Sequence, residues 1–229
     1  MNNTINAEPE NFIENQNLVL RNSYLLLAIT LVPTILGAFV GKAFPLTEII
    51  GLWSLAIYIP LVFIFNSLVY NNKDSVVGIF WLLGFTFFMG YITGPAIGFA
   101  MGNYENGLQL IGTAIGGTIV MFFALATFAS NTSRNLSNPE ILPMIIIGMI
   151  MLLIGSVLNL FIFQMPLLAL GISTAVAIIA SIMIVFTINS VVRGGVDNYV
   201  IVTMTLYIML LNIFQWILNL LMVFAGEED

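Results

Sequence analysis

The sequence has no cysteine and no histidine. Without cysteine there is no disulfide framework, no thiolate nucleophile and no thiolate metal site. Without histidine the commonest general base, the commonest transition-metal ligand and the usual switch near neutral pH are missing. No Ser-His-Asp, Cys-His or H-E-x-x-H arrangement can be assembled. Charge is scarce as well. Asp, Glu, Lys and Arg make up 7% of the 229 residues, against roughly 25% in soluble domains. Lys42 and Lys73 are the only lysines and both fall in predicted loops, which leaves little for Ser-Lys chemistry. These shortages weigh against an enzyme, and no cofactor or metal site is expected. The net charge of −6 sits mostly in the two tails and argues against nucleic acid as a partner.

What the chain has in abundance is apolar surface. It is 60% hydrophobic, with a mean hydropathy of +1.07. Such a chain is expected in a lipid bilayer, as an all-α polytopic bundle. A crossing needs about 20 apolar residues. Seven spans follow, near 22–41, 48–70, 76–101, 108–130, 141–163, 167–188 and 199–224. The fifth and sixth come from one apolar run of 48 residues, 141–188. Its natural break is Gln164-Met165-Pro166, which predicts a tight hairpin. Residues 1–21 read as a flexible N-terminal tail, polar and rich in Asn, carrying Glu8, Glu10 and Glu14 and ending at Arg21. Residues 22–225 form the transmembrane domain, and 226–229 an acidic stub. The tail lacks a basic region followed by an apolar core, so it is not expected to be a cleaved signal.

Arg21, Lys73, Arg134 and Arg193 fall on the N-terminal side of seven spans and Lys42 alone on the other. The positive-inside rule then predicts a cytoplasmic N-terminus and an outward C-terminus.

Three features inside the spans carry further expectations. The last span holds Thr205, Asn212, Gln215 and Asn219, separated by steps of seven, three and four residues. On an α-helix they share a face, and amides facing lipid would go unpaired, so this seam should face inward. It reads either as glue between helices or as the lining of a solute path. The third span holds Gly90, Gly94, Gly98 and Gly102 at four-residue steps, with Pro95 after Gly94. That predicts close helix packing with a local break, either packing alone or a hinge. Finally, Gly194-Gly195 can stop the sixth span in a left-handed cap, and Asp197 or Asn198 can cap the seventh. No Asp, Glu, Lys or Arg lies deep in any predicted span.

Particular runs resemble a known family. They are Gly90-Tyr91-Ile92-Thr93-Gly94-Pro95, then Asn189 through Gly194-Gly195 and Asp197-Asn198-Tyr199, and Leu206-Tyr207 with Leu211-Asn212-Ile213-Phe214. They look like the bacterial branch of the Bax-inhibitor (TMBIM) family, over nearly the whole chain. The resemblance implies seven helices with the last one central. For the branch that modulates the FtsH protease it implies a partner rather than a reaction: association with that membrane protease in the inner membrane, with the N-terminal tail as the handle. As a coil or strand of about 20 residues the tail would span ~30 Å or more. Other members are pH-sensitive calcium leaks, implying an aspartate pair in the sixth and seventh helices. The matching positions here are Thr187 and Met209, and neither titrates near neutral pH. This weakens the leak as the alternative function. No small ligand or ion is named by the sequence.

Overall fold

The computed structural model describes residues 7–226, apart from the side chains of residues 7–13 and 52. Helix dominates, and no strand occurs among the described residues. In chain order the helices are α1 (Ala7–Ala43), α2 (Leu46–Ile50), α3 (Ser54–Asn71), α4 (Val76–Asn103), α5 (Gly107–Asn131), α6 (Leu142–Leu158), α7 (Pro166–Val192) and α8 (Tyr199–Ala225). Among the described residues seven segments are long and apolar enough to cross a membrane. The chain is a polytopic all-α membrane protein. Large side chains such as Phe80 and Met151 remain 69% and 68% exposed, an arrangement that only an apolar solvent tolerates across so many residues.

The helix boundaries depart from the sequence reading at two places, and two spans carry local features beyond it. Residues 7–21 are not set apart as a coil, because α1 runs unbroken for 37 residues from Ala7. Pro9 falls in its first turn, where a missing N–H costs nothing, and acidic residues suit the positive end of the dipole. The side chains of Glu8 and Glu10, and residues 227–229, lie outside the described residues. The second span begins at Ser54, not Glu48. Gly51 adopts φ +58°, ending α2, and Ser54 Oγ donates to its carbonyl at 2.8 Å. Glu48 stays in the first turn of the short α2. Pro95 lies inside a continuous helix, so it does not break its span. The fifth span widens into a π turn, Asn159–Phe163, and ends at Gln164 with φ 50°.

Two compact units are distinguished. One comprises Asn17–Leu108 and Asp197–Tyr207. Its organising feature is a glycine-lined crossing of α1 and α4. A Cβ on Gly37 would lie 1.9 Å from the Phe87 carbonyl oxygen, and one on Gly90 2.1 Å from that of Thr34. A Cβ on Gly94 would lie 2.5 Å from the Lys42 nitrogen. Backbone meets backbone here, as small residues allow in membranes. The crossing also explains how Pro95 is accommodated. Proline removes the donor for the Tyr91 carbonyl, and that oxygen packs on Gly41, whose Cβ would sit only 2.0 Å away. Such close Cα–H···O approaches recur at helix interfaces. Gly98 meets only the Lys42 side chain, and Gly102 meets nothing within 4 Å. Leu82, Phe85 and Val69 fill the interior of this unit.

The second unit comprises Met1–Gln16, Gln109–Val196 and Ile208–Asp229. Its α6–α7 hairpin turns where the sequence predicts. Asn159 closes the turn: its Oδ1 accepts from Met165 N at 3.1 Å and its Nδ2 donates to Met165 O at 3.2 Å. Ile184, Ile188, Val191, Ile213 and Leu218 are buried within it. Helix α8 contributes Tyr199–Tyr207 to the first unit and Ile208 onward to the second.

Candidate functional site

The polar side chains of α8 are not buried as the spacing suggests. Thr205 is half-buried and donates back to the Ile201 carbonyl at 2.9 Å. Asn212 and Gln215 are half-buried, whereas Asn219 is exposed. A seven-residue step drifts about 20° on a straight helix, and Asn219 lies within two turns of the helix end. The inward seam therefore does not extend to Asn219.

The buried polar groups of α8 are instead Thr203 and Tyr207, one turn apart and 0% and 3% exposed. Thr203 Oγ1 lies 2.7 Å from the Tyr199 carbonyl and 3.2 Å from that of Ser23. Tyr207 Oη lies 2.9 Å from Thr34 Oγ1 and 3.1 Å from the Thr86 carbonyl. Thr34 Oγ1 also reaches the Thr30 carbonyl at 2.7 Å. Two proton arrangements satisfy the hydroxyls, so the network closes without an ionisable partner. The sequence reading gave weight to amides and passed over this pair. Its signal was available in the i, i+4 spacing of Thr203 and Tyr207.

Thr187 and Met209, at the positions where an acid pair is implied for the leaks, are 7% and 5% exposed. Both are buried and neutral. Among the described residues no group of three or more His, Cys, Asp or Glu is placed to hold a metal.

A polar cluster centres on Asn189, which is fully buried. Its Oδ1 accepts from Leu136 N at 2.9 Å and from Arg193 Nε at 3.1 Å. Its Nδ2 donates to the carbonyls of Ala129 at 3.1 Å and Arg134 at 3.5 Å. Arg193 also donates to the Ser133 carbonyl at 2.7 Å. The loop after α5 is thereby clasped to the end of α7. That end closes as its glycines predict: Gly194, at φ 74°, donates to Val191 O, and Gly195 donates to Ser190 O. Gln16 reaches the same cap. With its amide turned to satisfy both groups, its nitrogen lies 2.5 Å from the Val192 carbonyl and its oxygen 3.2 Å from the Gly194 nitrogen. Glu14 and Arg21, on either side of Gln16 in α1, are exposed.

In the other unit Asn198 caps α8, accepting from Val200 N and Ile201 N at 3.1 Å each. It is Asn198, of the two candidates, that fills this role. Its Nδ2 donates to Asp74 Oδ1 at 2.7 Å and to the Lys73 carbonyl at 3.2 Å, tying the turn before α4 to the start of α8. Of the residues of the resemblance, the run from Gly90 lies at the glycine crossing of α1 and α4, the run from Asn189 to Tyr199 at the caps on either side of the α7–α8 connection, and Leu206, Tyr207 and Leu211 to Phe214 within α8.

The family model described as inhibitor of apoptosis-promoting Bax1 matches residues 16–226. The chain belongs to the Bax-inhibitor family. Among curated members of that family, the chain is 33% identical over 205 residues to the modulator of FtsH protease YccA of Escherichia coli K12, covering 89% of each chain. The same identity and coverage hold for a protein of Escherichia coli O6:H1 described as inner membrane protein YccA. An uncharacterized protein of Neisseria meningitidis serogroup A is 29% identical over 217 residues, 93% of this chain and 94% of its own. For a Bax-inhibitor protein the match over residues 16–226 has a structural meaning, since it reaches all seven apolar helices and takes in both caps of the α7–α8 connection.

Proposed function

We propose that this Bax-inhibitor protein is a regulatory protein of the bacterial inner membrane that binds and restrains an FtsH-type membrane protease, without catalysis of its own. The observation that carries the reading is the 33% identity over 89% of both chains to the E. coli protein described as a modulator of that protease. The chemistry of the chain agrees with it. Partner regulation needs a shaped surface and a handle, not a nucleophile or base. Residues 1–21, with Glu8, Glu10, Glu14 and Arg21, supply the handle at the N-terminus, which the distribution of Lys and Arg assigns to the cytoplasm with the C-terminus outside. The bilayer is the solvent for the rest. A leak gated by a shared proton would need two acids close together, and Thr187 and Met209 offer none.

Affinity capture of the full-length chain from native membranes tests this reading. The protease should be recovered with it, and loss of residues 1–20 should slow degradation of the chain. Capture that recovers no protease, together with unchanged turnover of the shortened chain, overturns it.

A further inference from the structure

The start of α1 is docked at Gln16. It belongs to the same compact unit as α5–α7, although the rest of α1 belongs to the other. Its described contact is Gln16 on the α7 cap, and the chemistry of that contact is specific. The last carbonyls of a helix have no partner within the helix. The Val192 carbonyl is one of these, and the Gln16 nitrogen lies against it. The Gly194 N–H already donates to the Val191 carbonyl, and the Gln16 oxygen faces that same N–H as a second, shared acceptor. One amide therefore supplies both a donor and an acceptor. The receiving surface is itself fixed, since Arg193, between the two groups, is held by Asn189 and by the Ser133 carbonyl.

We propose that Gln16 is a latch that keeps the N-terminal segment helical and docked, and so withholds it from an ATP-driven protease. This inference rests on the reading of that segment as the protease handle. The helical stretch 7–21 reaches about 22 Å, whereas the same residues extended reach about 50 Å. An unfoldase engages extended chain, so release of the latch lengthens the available handle at least twofold. The bond to the Val192 carbonyl, at ordinary strength, shifts the ratio of docked to released segment by roughly two- to tenfold.

The test uses the full-length protein in nanodiscs and in membranes containing the protease. Amide hydrogen exchange is followed over residues 10–18 for the native chain, Gln16→Ala and Gln16→Glu. Alanine is the better helix former, so faster exchange in Gln16→Ala reports the lost amide and not a lost helix propensity. Glutamate keeps the acceptor for Gly194 but has no donor for Val192, so it should release the segment as well. The expected result is roughly two- to tenfold faster exchange in Gln16→Ala, with faster turnover of the variant by the protease. Unchanged exchange in both variants overturns the latch. Faster exchange with unchanged turnover overturns the reading of the segment as a handle, and with it the regulatory role.

Discussion

The glycine crossing of α1 and α4 makes a quantitative prediction. Replacing Gly37 with Ala would place a methyl carbon 1.9 Å from the Phe87 oxygen and 2.9 Å from the Tyr91 nitrogen. Carbon and a carbonyl oxygen approach to about 3.3 Å in the closest favourable contacts. The two backbones must therefore part by about 1 Å or more. A gap of that size forfeits a quarter to a half of the dispersion energy along the contact. In a bilayer no hydrophobic effect draws the helices back together, so packing is what is lost. The cost should be about 3 kcal/mol, the upper end of what overpacking brings, reduced by about 1 kcal/mol for the better helix propensity of Ala. Gly112→Ala supplies the control, because a Cβ there meets nothing within 4 Å. It should be neutral or stabilising by up to about 1 kcal/mol. Reversible unfolding in mixed micelles, followed by circular dichroism, measures both. If Gly37→Ala proves no less stable than Gly112→Ala, the crossing does not hold the unit together and the reasoning fails.

Two further substitutions probe buried polar groups. Asn189→Ala removes an amide with four hydrogen-bond partners and should cost about 2–4 kcal/mol, with new cleavage by added protease between residues 132 and 138. Unchanged stability and an uncut loop would mean the cluster contributes nothing. Tyr58 is 6% exposed, packs edge-on against Tyr91, and its hydroxyl has no hydrogen-bond partner of good geometry among the described residues. Tyr58→Phe should raise the melting temperature, by the equivalent of about 1 kcal/mol, and a drop would show that the hydroxyl has a bound partner such as a water.

The comparison of sequence with structure separates local rules from neighbour effects. Composition sufficed for the spans, because in lipid the backbone must satisfy its own hydrogen bonds and a helix does so within one segment. Local chemistry also placed the turn at Gln164-Met165-Pro166, the left-handed stop at Gly194 and the cap at Asn198. Each depends on a few adjacent residues. The tail read as coil because its composition is polar, yet Gln16 finds partners far along the chain, in Val192 and Gly194.

The sequence by itself determined how many apolar spans there are and where most of them stop, since those outcomes follow from hydropathy and backbone geometry. Only the tertiary structure decided which small residues are contacts. Gly37, Gly41, Gly90 and Gly94 meet backbone, while Gly102, Gly112 and Gly116 meet nothing within 4 Å, although spacing alone treats the two sets alike. It likewise decided that Thr203 and Tyr207 are buried and Asn219 is exposed. Periodicity gives a residue its direction around a helix, but burial depends on whether another helix lies in that direction.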